Sequence, residues 1–309
     1  MKIAVSGANG FIGRALVAQL GEGPHEAVPL VRKAADLPRE RIGDPLGAPE
    51  ELLSDVEVLI HLAARVHVMH EEAEDALAQF RKVNTEGTLR LARAAAAAGC
   101  RRFVFVSSVK VHGESTSRRA PFRASEVLAP EDPYGISKQE AEAGLTALCS
   151  ELAMELVIVR PPLVYGAGAR GNFAALSRWI GKGIPLPLGL VTRNRRSLIS
   201  VDNLVDFLIV AATHPNARGK IFLVSDGEDV STTSLLQMLG TAAGRPARLL
   251  PVPAGLLAAT LKALGRGADG DRLLGDLQVD ISEARELGWR PPVSLADGLR
   301  LSVVDKVTH

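Results

Sequence analysis

The chain has 309 residues, is 47% hydrophobic and carries a net charge of +1. That length and apolar content fit one large α/β core, or a core with a smaller second lobe. The balanced charge excludes a strongly basic nucleic-acid binder, and the lack of any long uninterrupted apolar run excludes a membrane span.

The elements are read in chain order. Met1 to Ser6 is a short apolar run and predicts a buried strand, entered without the charged and apolar regions of a secretion signal. A cytoplasmic protein is therefore expected. Gly7-Ala8-Asn9-Gly10-Phe11-Ile12-Gly13 follows, and Arg14 to Leu20 then reads as a helix. Glycines at 7, 10 and 13 suit a tight turn, close approach of backbone to a pyrophosphate, and close helix–strand packing. The helix start offers amide donors and a positive dipole end to phosphate. Residues His25 to Val31 predict a second strand and Val56 to His61 a third. A long helix is expected from about Glu71 to Ala98, ended by Gly99. Arg102 to Ser107 predicts a strand, Tyr134 to about Ala153 a helix, and Glu155 to Arg160 a strand.

This alternation is that of a doubly wound parallel sheet of the Rossmann type, an α/β fold with ligands at the carboxyl ends of its strands. Pro161-Pro162 interrupts it. The core is placed at residues 1–163, with a return to the sheet within about 198–224. Residues 164–309 form most of a smaller C-terminal substrate-binding lobe. Cys100 and Cys149 have neither metal-ligand spacing nor catalytic context. Two reduced thiols and no metal are expected.

The chain has two tyrosines, and one of them, Tyr134, stands four residues before Lys138. Four residues is one helical turn, so both side chains leave the same helix face. An ammonium beside a phenol stabilises the phenolate, and this predicts a Tyr134 made more acidic by Lys138. Such a phenol serves as an acid/base.

The glycine loop, Ser108 after a strand, and Tyr134/Lys138 on the following helix resemble the extended short-chain dehydrogenase/reductase family. Within it they resemble the branch of nucleotide-sugar epimerases, dehydratases and reductases. Further segments carry the resemblance: His61-Leu62-Ala63-Ala64, Val83 to Thr88, Arg160 to Gly166, and Arg196 to Asp202. The resemblance implies that Tyr134 exchanges a proton with the sugar and that Ser108 hydrogen-bonds the same oxygen. Lys138 would hold the nicotinamide ribose and lower the tyrosine pKa, and Asn84 would support the hydrogen-bond network. The dinucleotide, NAD or NADP, would meet Gly7, Asn9, Gly10, Phe11, Ile12 and Gly13. It would also meet Arg32, Asp44 and Pro45, the wall His61, Ala63 and Ala64, and Pro161, Tyr134 and Lys138. Asn172 and Arg196 match positions that meet a nucleotide diphosphate, with Arg272 a second phosphate ligand and Lys110 near the sugar. A UDP-sugar is the implied substrate. A homodimer is implied through the long helix and the helix of Tyr134. The alanine-rich face of residues 91 to 98 suits either that contact or a buried face within one chain.

Sugar 4,6-dehydratases of this family carry Asp-Glu directly after the catalytic hydroxyl residue; here Val109 and Lys110 stand there. Dehydration is therefore not expected. Two reactions at C4 remain, a 4-epimerase that recycles its NAD and a 4-ketoreductase that exchanges its cofactor. Leu30-Val31-Arg32-Lys33 has no carboxylate at the second strand's end, where an acid usually meets the ribose 2′-hydroxyl of NAD. Arg32 there accommodates a 2′-phosphate, or stacks on adenine in an NAD enzyme. Lys110, which either approaches the sugar or points to solvent, leans with Arg32 toward reduction. The runs His61 to His70, Ser107 to Val111 and Val224 to Asp229 resemble a bacterial surface-polysaccharide subgroup. That subgroup holds UDP-4-keto-6-deoxy-N-acetylhexosamine reductases beside UDP-glucose 4-epimerases. The reductase is favoured narrowly. A non-catalytic dinucleotide sensor is a third reading, opposed by the intact Ser108, Tyr134 and Lys138.

Overall fold

The computed structural model describes residues 1–47, 50–66, 73–169 and 171–304. The chain opens with β1 (Lys2–Ser6), crosses the glycine loop into α1 (Phe11–Glu22), and returns as β2 (Glu26–Val31). A short edge strand β3 (Arg41–Ile42) and β4 (Val58–His61) follow. Next come α2 (Ala73–Phe80), a π-helical segment Arg81–Gly87, and α3 (Thr88–Ala97). The core continues with β5 (Arg102–Val106), α4 (Pro133–Glu151) and β6 (Glu155–Arg160). β7 (Leu163–Tyr165), α5 (Asn172–Gly181), β8 (Leu198–Ser200), α6 (Val201–Thr213) and β9 (Ile221–Leu223) come next. Five helices complete the described chain: α7 (Thr232–Ala242), α8 (Ala254–Ala263), α9 (Gly267–Leu274), α10 (Ser282–Glu286) and α11 (Leu295–Val304).

Seven strands form one sheet in the order β3-β2-β1-β4-β5-β6-β9, every pair parallel. Every residue of β4 and β5 is buried, as expected of central strands covered on both faces. On one face the sheet packs against α1 and α6 through Leu16, Leu20, Leu204 and Leu208. On the other it packs against α3 and α4 through Leu91, Ala95, Leu145 and Leu148. The expected return to the sheet is β9, paired with β6. β7 and β8 make a small second sheet. Beside it a separate apolar cluster, with Phe173, Leu236 and Leu299, is the core of the C-terminal lobe. The seam between lobes holds Val109, Phe122, Leu277 and Val279, with Phe122 bridged to Val279.

The expected uninterrupted helix from Glu71 differs from the structure, and residues 67–72 lie outside the described part. Between α2 and α3 the helix widens to a π turn that carries the fully buried Asn84. In α3, Ala92, Ala94 and Ala95 are buried within the chain's own core. Of the two uses open to that alanine face, these residues serve the intramolecular one. Among the described residues, no helix is long and apolar enough to cross a membrane.

Candidate active site

The site lies at the carboxyl ends of β1, β4 and β5, where the order reverses between β1 and β4. Gly7 takes a left-handed φ of 74°, and a Cβ there would sit 2.8 Å from the Ala63 amide nitrogen. A Cβ on Gly13 would sit 2.2 Å from the Gly7 carbonyl oxygen. Side chains are thus excluded at both positions. The Gly10 amide donates to Gly7 O at 2.9 Å, and Gly10 stands at the N-cap of α1 with no side-chain cap. Its first amides are therefore available to an anion. Asn9 is exposed, while Phe11 and Ile12 are half-buried at the helix start. The half-buried Ala63 and Ala64 run past Gly7 and form one wall of the cleft. This cradle of absent Cβ atoms and uncapped amides fits a dinucleotide pyrophosphate.

Arg32 and Lys33 are exposed directly after β2. The next carboxylate, Asp36, sits in a left-handed turn at φ 55°. Glu40 is turned back on the amides of Ala35 and Leu37. Asp44 is exposed after β3, and its carboxylate accepts the Leu46 amide at 3.2 Å; Pro45 beside it is buried. Pro161 is buried as well, and its carbonyl accepts the Val109 amide at 3.0 Å.

His61 departs from the expected cleft wall. Its side chain is fully buried, with Nδ1 2.5 Å from Ser6 Oγ and Nε2 2.8 Å from Thr88 Oγ1. Burial, aided by the Lys138 ammonium, pushes its pKa down to about 3, so it is neutral. It is an interior tie between β1, β4 and α3, and its backbone alone reaches the strand end.

Tyr134 and Lys138 leave the first turns of α4. Asp132 caps that helix, its Oδ1 accepting the Gly135 amide at 2.6 Å, with Pro133 in the first turn. Ser108 follows β5 in extended backbone, and its hydroxyl acts on the Tyr134 phenol to lower its pKa. Lys138 is almost wholly buried; its Nζ donates to Val106 O at 2.9 Å and lies 4.5 Å from the Phe105 ring centre. Asn84 makes three hydrogen bonds to two residues. Its Oδ1 accepts the Arg65 amide at 2.8 Å, and its Nδ2 donates to Arg65 O and to Ser137 Oγ, each at 3.1 Å. Ser137 Oγ donates in turn to Tyr134 O at 2.8 Å. Asn84 thereby ties the loop after β4 to the first turn of α4.

The electrostatics differ from the helical-pair expectation. Burial, with help from Asp132, pushes the Tyr134 phenol up to about 12, and the Ser108 hydroxyl opposes this. Burial pushes Lys138 down to about 7 against the pull of Glu142. Desolvation outweighs a charge whose Nζ lies 6.0 Å from the phenol ring centre. At neutral pH the phenol keeps its proton and the amine holds its own only in part.

Lys110 neither faces solvent freely nor stands as an isolated cation near the sugar position. Its Nζ pairs with Asp132 and, at 2.7 Å, with Glu114. Glu114 also pairs with Arg272 of α9 at 3.7 Å. Arg196 is half-buried, donates to Gly275 O at 3.1 Å, and feels both Arg272 and Glu114. The structure thus brings Lys110, Arg196 and Arg272 into one charged cluster. Asn172 opens α5, but its side chain lies outside the described residues.

Sequence reasoning missed the carboxylates. Asp132-Pro133 before a helical pattern is a cap signature that could have revealed the first. Behind Lys138, Glu142 on the same helix receives a bidentate pair from Arg160, at 2.6 and 3.0 Å, and both are buried. Arg160 also reaches His112 Nε2 at 3.0 Å and Ala124 O at 3.1 Å.

A sequence profile described as the NAD dependent epimerase/dehydratase family matches residues 3–225. The chain belongs to that family. Over 305 residues it is 44% identical to a UDP-glucose 4-epimerase of Vibrio cholerae, covering 96% of this chain and 93% of that protein. It is 27% identical over 325 residues to a GDP-6-deoxy-D-mannose reductase of Pseudomonas aeruginosa, covering 98% and 96% respectively. The family fold also appears in a UDP-glucuronic acid 4-epimerase from Bacillus cereus, solved in complex with NAD. That structure aligns with a TM-score of 0.79 at 24% identity, over 98% of this chain and 95% of the other.

Proposed function

We propose that the protein is a dinucleotide-dependent oxidoreductase acting at C4 of a nucleotide sugar, with a UDP-sugar as substrate. The observation that carries this is the meeting of Ser108, Tyr134 and Lys138 beside a glycine cradle with no room for side chains. The nicotinamide, when bound, supplies or accepts the hydride. Tyr134 moves the proton at the C4 oxygen, and Ser108 orients that oxygen by a hydrogen bond. Lys138 holds the ribose. Gly7, Gly10 and Gly13 admit the pyrophosphate, Asn9, Phe11 and Ile12 line its approach, and Ala63 and Ala64 wall the cleft. Arg196 and Arg272 are the two cations of the C-terminal lobe suited to the substrate diphosphate, because a guanidinium binds two phosphate oxygens at once.

Within that reading, a 4-ketoreductase acting on a UDP-4-keto-6-deoxy-N-acetylhexosamine is favoured. Arg32 and Lys33 stand where a carboxylate would select NAD, which supports a phosphorylated, exchangeable cofactor. A phenol that keeps its proton at neutral pH is also an acid, as ketone reduction requires. Lys110 no longer argues for either reaction, since two carboxylates hold it. The second reading is a UDP-hexose 4-epimerase, favoured by the 44% identity to the Vibrio cholerae protein. A homodimer and a role in surface-polysaccharide synthesis belong to this proposal on family resemblance.

One experiment separates these readings. The purified protein is analysed for carried dinucleotide and incubated with UDP-glucose, UDP-N-acetylglucosamine and a UDP-4-keto-6-deoxy-N-acetylhexosamine. NAD(P)H oxidation by the keto sugar without C4 inversion of the others supports the reductase. Inversion without added cofactor supports the epimerase. Bound dinucleotide with neither reaction overturns the proposal in favour of a sensor.

A further inference from the structure

Lys110 occupies an unusual position for a side chain next to a reaction centre. It sits in the 3-10 turn Val109–Val111, directly after Ser108, whose hydroxyl oxygen accepts the Lys110 amide at 3.3 Å. Its side chain crosses to the N-terminus of α4 and ends on Asp132 Oδ2. The other carboxylate oxygen, Oδ1, caps the helix at Gly135, one residue beyond Tyr134. One carboxylate therefore does two jobs. It fixes the first turn of the helix that carries Tyr134, and it places a negative charge beside the phenol.

We infer that Lys110 is a positioning residue for the reaction, acting through Asp132 to hold Tyr134 in place and to compensate the charge beside it. The inference rests on the C4 oxidoreductase reading. Among the described groups around the phenol, Asp132 is the charge that raises its pKa. α4 itself contributes Asp132 and the buried Lys138. The turn after β5 contributes Ser108 and Lys110. From α2, Phe80 packs edge-on at 6.1 Å. Arg81 of the π segment is engaged with Glu140, Nη2 to Oε1 at 2.6 Å. Lys110 is a cation directly paired with that carboxylate. Its second partner, Glu114, reaches Arg272 of α9, so the same ion-pair chain runs from the cap of α4 to the C-terminal lobe.

The test compares wild type, Lys110→Met, Lys110→Arg and the double variant Lys110→Met/Asp132→Asn. Asparagine caps a helix as well as aspartate but carries no charge, so the double variant keeps the cap and removes the charge beside the phenol. With only two tyrosines in the chain, trifluorotyrosine, whose ring fluorines make its phenol far more acidic than tyrosine's and bring the titration below the alkaline unfolding range, gives two sets of 19F resonances, and a Tyr165→Phe variant assigns them. Tyr165 is fully buried against Asp226, which places its ionisation higher still. The Tyr134 titration, in protein loaded with dinucleotide, is expected to move up by about one pH unit in Lys110→Met. It is expected to return in Lys110→Arg and in the double variant. In turnover, kcat should fall more than KM rises.

An unshifted resonance in Lys110→Met overturns the inference, as does a double variant that stays displaced. A rise in KM with kcat unchanged would make Lys110 a substrate contact instead. Because the 19F titration needs no turnover, it remains decisive if no nucleotide sugar reacts. That outcome would fault the proposed function and not the role of Lys110.

Discussion

Replacing Lys138 by methionine should raise stability at neutral pH while abolishing turnover. The amine is 1% exposed, and its pKa falls from 10.5 to about 7. The folded value lies below the unfolded one, so unfolding takes up a proton across the window from about pH 7 to 10.5. Wild-type stability therefore rises with pH in that window. At pH 7 the cost of burying the amine is about 4 kcal/mol, and at pH 9.5 it has shrunk to about 1 kcal/mol. Methionine removes this cost but also the hydrogen bond to Val106 O and the contact with Phe105. Leaving that carbonyl without a donor costs about 1–3 kcal/mol. Lys138→Met is thus expected to be more stable than wild type by about 2 kcal/mol at pH 7 and less stable by about 1 kcal/mol at pH 9.5. Urea denaturation of dinucleotide-free protein at the two pH values measures both differences. A gap between the two proteins that does not change with pH would refute the reasoning.

Four further outcomes are expected. Tyr134→Phe should lower kcat by about 10² to 10⁴ with dinucleotide affinity unchanged, read by turnover and titration calorimetry. Gly13→Ala drives a Cβ to 2.2 Å from Gly7 O and should cost about 1–3 kcal/mol. Its dinucleotide affinity should fall at least about tenfold, seen as a lost ligand-induced shift in Tm. Glu142→Ala leaves the Arg160 guanidinium buried without its carboxylate and should cost about 3–5 kcal/mol in urea denaturation. Arg32→Glu should turn a preference for NADPH into one for NADH by about tenfold or more, measured by nucleotide fluorescence. Equal affinities before and after the change would remove the argument for a phosphorylated cofactor.

The sheet was readable because its central strands are short apolar runs buried on every residue, as in Val58–His61 and Arg102–Val106. Their ends fall within a residue or two of expectation. The glycine loop and the Tyr134/Lys138 spacing were readable because they are local. What escaped is what distance hides. Lys110 looked either solvated or substrate-facing, since its partner Asp132 lies 22 residues away and nothing local marks the pair. The buried interior position of His61 likewise depends on Ser6 and Thr88, which only the folded sheet brings to it. Desolvation, which sets the acidities of Tyr134 and Lys138, is a property of packing that helical spacing does not encode. The five helices after β9 were foreseen only as part of a C-terminal lobe.

The π segment Arg81–Gly87 has a consequence for how the chain tolerates change in length. Such a segment holds one residue more than an α-helix of the same span. Deleting a single residue there would let the helix close to regular geometry, so the loss could be absorbed without a break. The repair would leave α2 nearly in phase with α3, because the residue lost is the extra one, and would change only which residues of the segment face the site. Asn84, inside the segment, would lose Arg65, Ser137 or both. The stretch is therefore forgiving as scaffold and unforgiving as a tie. A one-residue deletion there should yield a folded protein whose loop after β4 is no longer fastened to the first turn of α4.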